Sequence, residues 1–165
     1  EFWFTLGLPT SADPAVALRP ESQPAQGMRR LQGVRLLVVD DAPVNREIAR
    51  LLLEGEGARV EVAEDGALAL QRLRAGPGDF DLVLMDMQMP VMDGLEATRR
   101  IRAQPAPRFV PIVAMTANAL ASDRERCLEA GMSDHLAKPF GLADLWSLLA
   151  RWLPPTGTRI QSTAD

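Results

Sequence analysis

The chain has one cysteine and one histidine in 165 residues. Cys127 cannot close an internal disulfide, and without a second Cys or a His cluster no soft-metal site can form around it. A small core side chain in a reducing compartment is the expectation. Positive charge is also in short supply: 18 Lys and Arg stand against 22 Asp and Glu, a net charge of -4. That balance argues against a nucleic-acid footprint. No apolar run approaches the roughly 20 residues a bilayer-spanning helix needs, and no basic, apolar and small-residue succession resembles a signal peptide. This portion is therefore expected to make no membrane contact and to work in the cytoplasm. Glu1 stands where a Met would open a whole chain, and a segment of something longer is the expectation. What is present, 47% hydrophobic and 24% charged residues, is the composition of one ordinary globular core with short arms.

Residues 1–9, Glu1-Phe2-Trp3-Phe4-Thr5-Leu6-Gly7-Leu8-Pro9, read as one β-strand with no partner of its own, which cannot be stable alone. Residues 10–33 turn to Ser, Ala, Gln and Gly with Pro14, Pro20 and Pro24 spaced through them, the composition of a disordered linker. From residue 34 two kinds of segment alternate. Apolar runs at 34–39, 59–63, 81–85, 110–115 and 133–136 have strand length. Segments at 43–55, 65–75, 94–103, 119–130 and 142–153 have helical spacing. On the last helix Leu142, Leu145, Trp146, Leu149 and Trp152 or Leu153 fall on one face. Residues 154–165 open with Pro154-Pro155 and read as a disordered tail.

Five βα units with continuous apolar strands such as Leu82-Val83-Leu84-Met85 predict a doubly wound α/β fold with helices on both faces of a parallel sheet. Ligands in such folds sit outside the carboxyl ends of the strands. Those ends carry Asp40-Asp41, Asp86, Thr116 and Lys138-Pro139. Three carboxylates brought together repel unless a cation neutralises them, and hard oxygen donors suit Mg²⁺. Asp86 is placed to attack phosphorus as a carboxylate nucleophile. Lys138, the Thr116 hydroxyl and the metal would then each pair with one phosphoryl oxygen.

The runs Val38-Val39-Asp40-Asp41, Leu84-Met85-Asp86-Met87-Gln88-Met89-Pro90-Val91-Met92-Asp93-Gly94, Met115-Thr116-Ala117-Asn118-Ala119 and Lys138-Pro139-Phe140 resemble the response-regulator receiver family, from residue 34 to residue 153. The resemblance implies a flavodoxin-like sheet of order 2-1-3-4-5 and a cis bond before Pro139. It makes Asp86 the phospho-acceptor, Asp41 a direct Mg²⁺ ligand, Asp40 an assisting one, and the Gln88 backbone carbonyl the last protein ligand. Asn45-Arg46 and Asp134-His135-Leu136-Ala137-Lys138-Pro139 are most similar to receivers of hybrid sensor histidine kinases. Residues 1–9 then resemble the last strand of a kinase ATP-binding domain. The partners implied are a histidine-kinase phosphohistidine domain as donor and a histidine phosphotransfer domain as acceptor, docking near Val44, Ile48 and Leu51.

Some residues point elsewhere. His135 occupies the switch position, often Tyr or Phe in receivers, that moves with Thr116; it lies in a short strand, so a phosphohistidine donor must come from another domain. A phosphohydrolase using the same nucleophile would need a second Asp two residues after Asp86 as general acid, and Gln88 stands there. Asp93-Gly94 reads as a turn and helix start, Met85, Met87, Met89 and Met92 as core or loop packing, and Arg99-Arg100-Ile101-Arg102 as a solvated helix face.

Overall fold

The computed structural model describes residues 30–76, 79–104, 109–117 and 121–153. Residues 1–9, most of the expected linker, the tail at 154–165 and Asn118 lie outside the described residues. The chain runs β1 (Arg35–Val39), α1 (Pro43–Gly55), β2 (Arg59–Ala63), α2 (Gly66–Ala75), β3 (Leu82–Asp86), α3 (Gly94–Arg102), β4 (Ile112–Thr116), α4 (Ala121–Glu129), β5 (Asp134–Ala137) and α5 (Leu142–Trp152). All strand pairs are parallel, in the order β2-β1-β3-β4-β5. The doubly wound fold and its order are those expected from the sequence.

Alternation along each strand sends successive side chains to opposite faces. Leu37, Val39, Val83, Met85, Ile112 and Ala114 pack with side chains of α2, α3 and α4 on one face. Leu36, Val38, Leu82, Leu84, Val113 and Met115 pack with Leu53 of α1 and with α5 on the other. β3, β4 and β5 each end one residue beyond the apolar run that predicts them, so Asp86↔Met115 and Thr116↔Ala137 are ladder pairs. Apolar periodicity tracks buried side chains, whereas the ladder lasts as long as the backbone pairs.

Three details differ from the sequence reading. On α5 the buried positions are Leu145, Leu148 and Leu149, while Leu142 is half exposed. Residues 30–33, inside the expected linker, form a turn in which the Leu31 N–H donates to the Glu56 carbonyl at 3.0 Å and the Leu31 side chain is buried in the core shared with α1 and α5. Arg102 is not a solvated charge. Its guanidinium lies 4.0 Å from the Phe109 ring centroid and donates to the Gly131 and Val110 carbonyls at 2.9 and 3.0 Å; burial pushes its pKa down. Arg99 and Arg100 do remain exposed. Cys127 is a core residue, with its thiol pKa raised by burial.

α5 is tied to β5 through Asp134. Its carboxylate accepts from Trp152 Nε1 at 3.0 Å, from Arg151 Nη1 at 2.7 Å and from the His135 N–H at 2.9 Å. Burial raises the Asp134 pKa, but these donors outweigh it and hold the carboxyl below its ordinary value. A carboxyl lowered by folding contributes stability above its unfolded pKa, and that contribution is lost as pH falls through the folded one. Asp134→Asn is therefore expected to lower the melting temperature by a few degrees at neutral pH, with the gap to wild type closing below about pH 4. Thermal unfolding followed by tryptophan emission across pH checks this; a gap independent of pH would remove the ionised carboxylate from the account.

Candidate functional site

β1 and β3 lie side by side, and the connection leaving β1 runs to β2 on one side while that leaving β3 runs to β4 on the other, which opens a crevice at their carboxyl ends. Asp40 and Asp41 follow β1, and Asp86 ends β3. One carboxylate oxygen from each of the three lies within 4.8 Å of the others. Asp40 and Asp86 are buried, at 1% and 8% exposure, while Asp41 faces solvent. Lys138, directly after β5 and followed by a cis bond to Pro139, reaches them. Lys138 Nζ donates to Asp40 Oδ2 at 2.8 Å and to Asp86 Oδ2 at 2.7 Å, and its backbone N–H donates to the Thr116 carbonyl at 2.7 Å. Burial alone would lower the Lys138 pKa, but the hydrogen bonds and charges of Asp40 and Asp86 outweigh it, and the ammonium is held above its ordinary value.

The Asp40 and Asp86 carboxylates are oriented by their local chain, and Asp41 is held through its backbone. The Ala42 N–H donates to Asp40 Oδ1 at 2.9 Å, and Asn45 Nδ2 reaches both Asp40 oxygens at 3.1 and 3.2 Å. Arg46 Nη1 donates to the backbone carbonyls of Asp40 and Asp41 at 2.6 and 2.9 Å. The Gln88 N–H donates to Asp86 Oδ1 at 3.2 Å. The β3–α3 loop is held at several points. The Gly94 N–H donates to the Met87 carbonyl and the Gly66 N–H to the Met92 carbonyl, and Asp93 caps α3 by accepting from the Glu96 N–H at 2.8 Å. Between these anchors Val91 has φ 67°, with the Met92 N–H donating to the Pro90 carbonyl at 2.7 Å. That is the strained, positive-φ form of a γ-turn, and a β-branched residue adopts it only where its flanks are fixed.

Of the residues expected at the site, Asp40, Asp41, Asp86 and Lys138 are brought together. Buried Thr116 and exposed Gln88 line, with Asp41, an adjoining cavity of about 470 Å³. His135 is not in that group: its Nδ1 lies 3.7 Å from Asp134 Oδ1. The contacts of Asn45 and Arg46 were not foreseen from sequence, although their place one turn into α1, just after the acidic pair, was the available signal. A second, apolar cleft of about 550 Å³ runs beside α1, lined by Ile48, Leu52, Met115, Pro139 and Phe140 among others.

The donor set fits a hard divalent cation. Three carboxylates face a single ammonium, which leaves two negative charges for the ion, and among the described residues no side chain or N–H donates to the Asp41 carboxylate. Oxygen donors with one open, hydrated side are what Mg²⁺ accepts.

Fold and site together define a flavodoxin-like α/β domain with an acidic cluster at its topological switch point. The sequence profile described as response regulator receiver domain matches residues 36–150, and the chain belongs to that family, a receiver domain of two-component signalling. It is 43% identical over 122 residues to the signal transduction histidine-protein kinase BarA of Escherichia coli K12; the match spans 74% of this chain but 13% of BarA. Among solved structures it resembles the receiver domain of sensor histidine kinase PA1611 from Pseudomonas aeruginosa PAO1, described with a magnesium ion coordinated in the active site cleft. That likeness has 48% identity and a TM-score of 0.66, covering 73% of this chain and 97% of that one. The Saccharomyces cerevisiae Ssk1 receiver, co-crystallised with the histidine phosphotransfer protein Ypd1, matches with 28% identity and a TM-score of 0.68 over 74% of this chain and 90% of that one.

At Gly94 the loop passes close against the end of β3. A Cβ there would fall on the Asp86 carbonyl oxygen and 3.0 Å from Met85 Cγ. Gly94→Ala is expected to force the end of β3 aside, costing about 1–3 kcal/mol of stability and shifting the Asp86 amide resonance. Urea unfolding with amide NMR measures both; an unshifted Asp86 resonance at wild-type stability would show that the contact gives way freely.

Proposed function

We propose that this chain is the phospho-acceptor of a phosphorelay, taking a phosphoryl group from a phosphohistidine onto Asp86 in a Mg²⁺-dependent reaction. The observation that carries the reading is the Lys138 ammonium donating at once to buried Asp40 and Asp86, with Asp41 open beside them. Asp40, Asp41, Asp86 and the Gln88 backbone carbonyl would hold the metal, which supplies charge neutralisation at the phosphoryl oxygens. An Asp86 carboxylate oxygen attacks phosphorus as the phosphorus–nitrogen bond of the donor breaks, leaving an acyl phosphate and a neutral imidazole once a proton is taken up. The Gln88 N–H keeps one Asp86 oxygen aligned. Lys138 stabilises negative charge that develops in transfer, and the Thr116 hydroxyl takes a further oxygen.

The phosphoryl group then passes on or shifts a conformational equilibrium in which Thr116 and His135 are the moving side chains. Gln88 in place of a general acid leaves slow hydrolysis of the chain's own acyl phosphate as the only turnover, so catalysis of other substrates is not part of the reading. The similarity to BarA supports placing the chain as the receiver of a hybrid histidine kinase, with residues 1–9 ending the kinase domain, 10–33 as linker and 154–165 as tail. Cytoplasmic action follows from that placement; among the described residues no helix is long and apolar enough to cross a membrane.

A phosphohistidine domain would be the donor and a histidine phosphotransfer domain the acceptor. Val44, Ile48 and Leu51 of α1 are 66%, 53% and 60% exposed, an apolar stripe beside the crevice that a helical partner could cover.

Intact mass after incubation with a small phosphoramidate donor is expected to show one Mg²⁺-dependent phosphoryl adduct on wild type, none on Asp86→Asn and none with chelator. No adduct on folded, Mg²⁺-loaded wild type would sink the assignment of Asp86. Ile48→Asp is expected to stay folded and to slow phosphotransfer to a histidine phosphotransfer domain by about tenfold or more, the loss of one well-packed contact. An unchanged rate would move the docking surface away from α1.

A further inference from the structure

α1 opens without a side-chain cap of its own. Ala42 is the N-cap, and Pro43 takes the first helical position without an N–H to offer. The two residues before it have left the sheet, and the last backbone link to β2 is the Asp40 N–H donating to the Ala63 carbonyl at 3.2 Å. The Asp40 and Asp41 carbonyls therefore depend on a side chain, and Arg46, reaching back one turn, donates from Nη1 to both. That nitrogen carries two hydrogens, one for each carbonyl.

The two acids depend on this unequally. The Asp40 carboxylate is also held by Lys138, Asn45 and the Ala42 N–H. Exposed Asp41 has no such holds on its carboxylate among the described residues, so its direction follows from its backbone, which Arg46 fixes.

We propose that Arg46, assisted by Asn45, is a positioning residue for the cation site, holding the Asp40-Asp41 turn so that the Asp41 carboxylate faces the centre it shares with Asp40 and Asp86. The inference rests on the Mg²⁺-dependent reading above. Two effects oppose each other here. A guanidinium behind the site repels a divalent cation, whereas fixing a ligand's direction lowers the cost of binding it. Partners that orient metal ligands are worth about 10–100-fold in affinity, and the outward charge is partly screened by solvent, so positioning wins.

The test titrates MgCl₂ into the full 165-residue chain as wild type, Arg46→Met and Arg46→Lys, by amide NMR, beside metal-free melting temperatures. Arg46→Met, lacking both hydrogen bonds and the charge, is expected to bind Mg²⁺ about tenfold more weakly. Arg46→Lys keeps the charge and is expected to recover part of the loss. Adduct formation should fall further at limiting than at saturating Mg²⁺. Unchanged or tighter Mg²⁺ binding by Arg46→Met overturns the proposal, as does a lowered melting temperature with unaltered affinity. If Arg46→Met does not fold, weaker binding by Arg46→Lys supports the proposal and wild-type binding overturns it. Failure of wild type itself to bind Mg²⁺ overturns the underlying reading as well, and so is told apart from failure of Arg46 alone.

Discussion

Three carboxylates with oxygens within 4.8 Å of one another repel, and two of them are buried where water screens them least. At such separations a pair of unit charges interacts by about 4 kcal/mol even at the effective dielectric of a protein surface. Lys138 offsets part of this with one ammonium shared between Asp40 and Asp86. The pairing spans sequence separations of 98 and 52 residues, so it exists only when β1, β3 and the chain after β5 are all in place. The arrangement remains two charges short of neutral, the balance that a divalent cation would supply.

The remainder of the fold serves this placement. β1 and β3 lie side by side with apolar cores on both faces, so their carboxyl ends have little freedom to separate. The loops leaving them are pinned independently: the turn after β1 by Arg46 and Asn45, and the loop after β3 by the close passage of Gly94, the Gly66 to Met92 hydrogen bond and the strained turn at Val91. Strain in an exposed valine persists because both of its neighbours are fixed.

The apolar exposure of the domain is unevenly distributed. α5 buries Leu145, Leu148 and Leu149 against the sheet, whereas α1 buries Leu53 and leaves Val44, Ile48 and Leu51 in solvent beside the crevice. A helix carrying more apolar surface than its own sheet covers is suited to a partner.

The sequence alone determined the α/β class, the strand order implied by family resemblance, and the identities of Asp40, Asp41, Asp86, Thr116 and Lys138 as the residues at the strand ends. It could do so because apolar runs and breaks are local signals, and strand ends are where a doubly wound sheet gathers polar groups. It misjudged Arg102, whose position on a charged helix face gave no hint of Phe109 stacked beneath it, and Leu31, an apolar residue hidden in linker-like composition. Tertiary structure alone decided that Lys138 bridges two acids rather than one, that His135 stands beside Asp134, and that Arg46 grips the acidic turn. Those contacts depend on where elements far apart in sequence, or the back of a helix turn, come to rest. Residue type and periodicity do not carry that information, because they describe what each segment can bury and not which neighbour it meets.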